Sequence, residues 1–125
     1  MNLNQVTVPS SNIPRAIEFY QTLGLKLIVE SDHYARFECP NGLSTFSVHL
    51  TEELPTGAGI SVYFECENLD EKEDKLIQKG LVFDVLPTDQ SWLWREAYLK
   101  DPDGNQLILF FAGENRLNPP WRIQS

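Results

Sequence analysis

The sequence predicts an α+β domain built from two copies of one βαβββ module. Three observations predict it. Two helix signals span the same Asn-to-Gly interval; each has one strand candidate before it and three after it; and related Pro/Gly turns, "CPNG" and "DPDG", join the last two strands of each half. A module of this kind has one apolar sheet face and cannot bury it alone, so a single domain over residues 1–125 is expected.

The elements follow in chain order. In "LNQVTVP" (3–9), Val6 and Val8 alternate with Gln5 and Thr7, the period of a half-buried strand. "NIPRAIEFYQTLG" (12–24) opens on Asn12 as N-cap, has Pro14 in its first turn and stops at Gly24. Ile13, Ala16, Ile17 and Tyr20 give it one apolar face. "LKLIVES", "YARFEC" and "STFSVHL" complete a first module over about 3–51. Residues 52–57 read as a linker. The second module, about 58–112, repeats the order with "GISVYFEC", the helix "NLDEKEDKLIQKG" (68–80), "LVFDVLP", "REAYLK" and "QLILFF". Leu69, Leu76 and Ile77 form the apolar stripe of this second helix, with the rest charged and facing solvent. Residues 113–125 form a tail whose Pro-Pro-Trp is too apolar for a free end, which points to packing on the rim or on a partner subunit.

Composition narrows the function classes. With 42% hydrophobic residues in 125, the chain supports a real core. Its net charge of −8 and the lack of a Lys/Arg cluster argue against nucleic acid and against an anionic membrane surface. No apolar run approaches the ~18 residues of a membrane span, and the N-terminus lacks a signal-peptide pattern. The expected location is the cytoplasm. Cys39 and Cys66 have no metal-type spacing and read as small buried thiols.

Strand alternation also sorts the faces. Phe46, Val48, Leu50, Ile60, Val62, Phe64, Leu107, Leu109 and Phe111 belong under the helices. The opposite faces collect Gln5, Thr7, Ser47, His49, Ser61, Tyr63, Glu65, Ile108 and Phe110. They hold no lysine and mix aromatics with hydroxyls and amides, as a ligand site needs. Counting back from the DPDG turn, Ala97 and Leu99 face the helix, so Trp94, Glu96 and Tyr98 share the other face, with Trp92 as a lid or wall.

The duplicated module, "NIPRAIEFYQTLGLKL" and "WREAYLKDPDGNQLILF" resemble the vicinal-oxygen-chelate superfamily of glyoxalases, bleomycin-resistance proteins and dioxygenases over roughly residues 3–112. The resemblance implies an incomplete eight-stranded barrel with a ligand cavity in its concave face, and a homodimer. It also implies four metal-ligand positions, which carry over to Gln5, His49, Ser61 and Ile108. Ser is a poor ligand and Ile is none, so the expected protein has no metal and no other cofactor. His49 is left with three roles: one arm of a divalent metal site shared with Gln5, a general base, or a hydrogen-bonding partner of Gln5 and Ser61.

Two functions are consistent with this pattern. One is a binder of a small aromatic or cationic molecule, held by Gln5, Thr7, Ser47, His49, Ser61, Tyr63, Trp92, Trp94, Glu96, Tyr98, Ile108 and Phe110. The other is a glyoxalase-like lyase or isomerase, or a dioxygenase, using Gln5 and His49 with a metal. If there is turnover, His49 and Glu96 are the expected catalytic groups.

Overall fold

In a computed structural model describing residues 1–56 and 59–123, the chain forms two compact units. Gly57 and Ala58, where the expected linker meets the second module, lie outside the described residues, as do the tail's Gln124 and Ser125.

Unit 1 comprises Met1–Ile60 together with the turn Asp101–Asn105. It contains β1 (Gln5–Ser10), α1 (Ile13–Leu23), β2 (Lys26–Glu30), β3 (Tyr34–Glu38) and β4 (Thr45–Leu50), with sheet order β1-β4-β3-β2. β1 pairs parallel with β4, and the other pairs are antiparallel. Pro9 is tolerated inside β1 because that strand is an edge. The helix begins and ends where the sequence predicts. The Asn12 side chain accepts the Arg15 N–H at 3.0 Å, and Gly24 adopts φ 117°, a left-handed conformation that glycine reaches without a Cβ clash.

The buried face of α1 meets that of the sheet. Tyr20 packs at 4.6 Å from Phe46 and 5.6 Å from Phe37, ring centre to ring centre, and all three are at most 2% exposed. The Tyr20 hydroxyl donates to Asp101 at 2.7 Å. Asp101 also accepts from the backbone N–H groups of Asp103 and Asn105 and from the Asn105 amide, so one carboxylate organises the whole turn. Asp103 in turn accepts from Ser11 and pairs with Arg15 at 2.8 Å.

Unit 2 repeats the plan with β5 (Ser61–Glu65), α2 (Leu69–Gln78), β6 (Val85–Asp89), β7 (Arg95–Lys100) and β8 (Gln106–Phe111), in the order β5-β8-β7-β6. The same order and the same single parallel pair in both sheets establish the duplication. Among the described residues each sheet is open at both edges.

Four expectations change here. β5 starts at Ser61, and Ile60 is exposed rather than under a helix. Asn68 makes no side-chain cap to α2. Glu73, not Ile77, completes the buried stripe with Leu69 and Leu76; Ile77 lies about 80° round the helix from Leu69, at the margin of the buried face. β6 begins at Val85, four residues later than "LVFDVLP" suggests, because Gly80 (φ 98°) and the Leu81 N–H close the helix first. Beyond β8, a single 3-10 turn, Gly113–Asn115, leads into the tail. Trp121 remains 57% exposed and Pro120 is exposed too, so among the described residues only Pro119 of the Pro-Pro-Trp segment is partly buried.

Candidate functional site

In unit 2 the face turned away from α2 gathers most of the predicted residues. Register places Tyr98 opposite Ile108, Glu96 opposite Phe110, and Tyr63 beside Ile108. Trp94 and Tyr98 pack over Ile108 and Phe110, which are 3% and 4% exposed and form a floor rather than an open wall. The Trp94 ring stacks on Phe110 at 4.7 Å and 22°, while Tyr63 stands edge-on to both. The Trp94 indole N–H donates to the Asn115 carbonyl at 3.2 Å, fixing the ring against the 3-10 turn. Glu65 holds that turn from the other side through the N–H groups of Ala112 and Gly113.

Glu96 is the chemical centre of this face. It is 1% exposed, yet it takes part in no ion pair among the described residues. Its two oxygens accept the Tyr98 hydroxyl at 2.6 Å and the Trp92 indole N–H at 2.9 Å. The bond to Glu96, then burial, pushes the Tyr98 phenol up to about 12. Burial, followed by the charge on Glu96, pushes Tyr63 up as well. The exposed residues Tyr63 and Trp92 thus share this face with the buried Glu96 carboxylate. Arg95, one residue from Glu96, points the other way and pairs with Asp70 and Asp89. A hollow of about 330 Å³ lies on that helix side, lined in part by Asp70, Glu71, Arg95 and Phe111. Its arginine is already committed to those two carboxylates. Ser61, at the exposed start of β5, pairs with Gln106 and stands apart from the aromatic group.

In unit 1 the face turned away from α1 is polar. Thr7 and Ser47 share a 2.6 Å hydrogen bond, and Gln5 accepts from Thr45 at 2.8 Å. Two residues that sequence reasoning did not assign join them: Tyr34 and Arg36, alternating along β3 with buried Ala35 and Phe37. That alternation is visible in "YARFE" and was the available signal. Arg36 Nε donates to the Tyr34 hydroxyl at 2.8 Å. Burial pushes the Tyr34 phenol up, but Ser47, Arg36 and Gln5 outweigh it and hold it below the ordinary tyrosine range.

The positions that the resemblance gives as metal ligands are not side by side within either sheet. β1 and β4 pair with Gln5 opposite Thr45 and Pro9 opposite His49. Gln5 and His49 thus sit four residues, about 13 Å, apart along the strands, so of the three roles open to His49 a hydrogen bond to Gln5 is not made. Ser61 and Ile108 are out of register by two residues, about 7 Å, and Tyr63 is the neighbour of Ile108. By the internal repeat the counterpart of Ile108 is Ser47, not His49. Among the described residues no three His, Cys, Asp or Glu side chains form a metal-holding group. Of these four groups an amide and an imidazole are donors that a divalent ion takes, a neutral hydroxyl is a poor one and an alkyl chain is none.

A family model described as the glyoxalase/bleomycin resistance protein/dioxygenase superfamily matches residues 2–109. The chain belongs to that superfamily. Among solved members, one from Nocardioides is 21% identical with a TM-score of 0.79, covering 99% of this chain and 90% of that one. The bleomycin resistance determinant of transposon Tn5 is 18% identical with a TM-score of 0.76, covering 89% and 98%. A lactoylglutathione lyase from Agrobacterium tumefaciens is 13% identical at 0.72, covering 88% and 92%. At these identities the likeness is one of fold, and superfamily membership does not choose between binding and turnover. Curated proteins give no match to the sequence. Among the described residues no helix is long and apolar enough to cross a membrane.

Proposed function

We propose that this superfamily member binds a small cationic aromatic molecule on the unit 2 face, without a metal, as a cytoplasmic sequestering protein rather than an enzyme. One observation carries the reading: Glu96 is a buried carboxylate with no cationic partner among the described residues, set among aromatic rings. Burying a lone charge is costly unless it is compensated. Two hydrogen bonds compensate Glu96 in part, and a ligand cation over Tyr63 and Trp92 supplies the rest through charge attraction and cation–π contact. The exposed Trp121 supports a second copy as the cover of the tail, in keeping with a homodimer.

The test compares benzylammonium with benzyl alcohol, a neutral molecule of nearly the same shape, by calorimetric titration. The wild type is expected to prefer the cation. Glu96→Gln should weaken the cation by about 1–2 kcal/mol and leave the alcohol unchanged, because only the charge term is lost. Arg95→Ala should alter neither, since that side chain lies on the other face. Equal affinity of the wild type for both probes would sink the reading.

Metal independence has its own check. Purified protein is expected to carry less than one divalent ion per chain, and added Zn, Ni or Mn should leave the thermal midpoint where it was. A ligand held only by the native state raises that midpoint, so a clear rise on metal addition would restore the lyase or dioxygenase alternative.

A further inference from the structure

We infer that the polar face of unit 1 carries an oxyanion-binding site centred on Arg36. The chain has 18 acidic and 10 basic residues, so carboxylates are plentiful. Arg15, Arg95 and Arg116 each have one within 4 Å. Arg36 has none among the described residues, although it lies half-buried on β3. Its Nε donates to Tyr34, and its guanidinium lies 5.3 Å from the centre of the Tyr34 ring, which fixes the plane of the group. The two terminal nitrogens remain without a hydrogen-bond partner among the described residues. A planar fork held this way fits a carboxylate or phosphate through two parallel N–H donors.

The surrounding hydroxyls extend the donor set. Register sets Arg36 opposite Ser47 and Ser47 opposite Thr7, and Ser47, fully buried, shares a 2.6 Å hydrogen bond with Thr7. Thr7 is the exposed hydroxyl residue at the end of that row. One cation and one exposed hydroxyl on the same face suit an anionic oxygen group and repel a cation.

The test is a ¹H–¹⁵N NMR titration of the full chain with inorganic phosphate and, separately, acetate, at constant ionic strength. Saturable shifts confined to Tyr34, Arg36, Ser47 and Thr7 are expected, including the Arg36 Nε–H. The tighter of the two probes assigns the group as phosphate or carboxylate. Arg36→Gln should weaken binding about tenfold or more, since a charged hydrogen bond is lost. Arg36→Lys, which keeps the charge but not the fork, should recover only part of it. Thr7→Val, at an exposed position, should cost roughly fivefold and remains informative if the arginine variants do not fold. Shifts scattered over every lysine and arginine and rising without saturation would overturn the proposal. So would unchanged affinity in Arg36→Gln. Because neither anion is aromatic or cationic, failure here leaves the unit 2 reading standing, and the reverse also holds.

Discussion

Tyr20→Ala is expected to destabilise the protein by about 3–5 kcal/mol, the range for deleting a fully buried aromatic ring. That is a large share of the 5–15 kcal/mol by which a typical domain is stable. Two losses combine. The ring contacts to Phe37 and Phe46 disappear, and Asp101 loses the hydroxyl donor that ties α1 to the turn. Tyr20→Phe separates them, keeping the packing and giving up about 1 kcal/mol for the hydrogen bond. Urea unfolding of the two variants checks both figures. A pH series checks the cause. Burial, then the charge on Asp101, raises the Tyr20 phenol well above its ordinary value of 10.0. A group whose folded pKa is raised contributes stability that is complete below its unfolded value and is lost as pH rises above it. Wild-type stability should therefore fall above about pH 10, and Tyr20→Phe should flatten that decline. An identical alkaline decline in Tyr20→Phe would show that another group is responsible.

Trp94→Ala is expected to weaken benzylammonium by about 1–3 kcal/mol through lost ring area and cation–π attraction. Unlike a purely surface contact, Trp94 also stacks on Phe110 and donates to Asn115, so the variant should lose stability as well. Affinity must then be measured where the variant is still folded, at low temperature and without denaturant. Trp94→Phe keeps a ring on Phe110 while removing the donor, and should retain more affinity than Trp94→Ala. If both variants bind as the wild type does, Trp94 belongs to the floor of the face and not to the site.

The strand parity of unit 2 was legible because a tight turn fixes it. DPDG joins β7 to β8 directly, so counting from Asp101 puts Trp94, Glu96 and Tyr98 on one face, and the observed register agrees. Both helices were legible for a similar reason, since their stops at Gly24 and Gly80 rest on left-handed backbone that those glycines adopt. The partner of Gln5 was not legible. β1 and β4 are parallel and joined by no hairpin, so their register is set by packing of the intervening elements rather than by a local signal. Matching His49 to Gln5 through the family pattern misses by four residues for that reason. Ile77 and Glu73 exchanged places because an apolar residue at the margin of a short stripe carries little information about which side it turns. The hydrogen bonds from Trp92 and Tyr98 to Glu96 could not be read at all, because they depend on side-chain directions within a shared face.

The central claim is that a cationic aromatic ligand sits on the Trp92, Trp94 and Glu96 face. The chain has three tryptophans, the third being Trp121 in the tail, so the indole N–H signals of a ¹⁵N-labelled sample report on it directly. Titrating benzylammonium into wild-type protein should move the Trp92 and Trp94 signals to a shared saturation point and leave Trp121 in place. The Trp92 signal should move furthest, because its N–H is bonded to the carboxylate that the cation approaches. Movement of Trp121 alone, or an equal response to benzyl alcohol, would contradict the account.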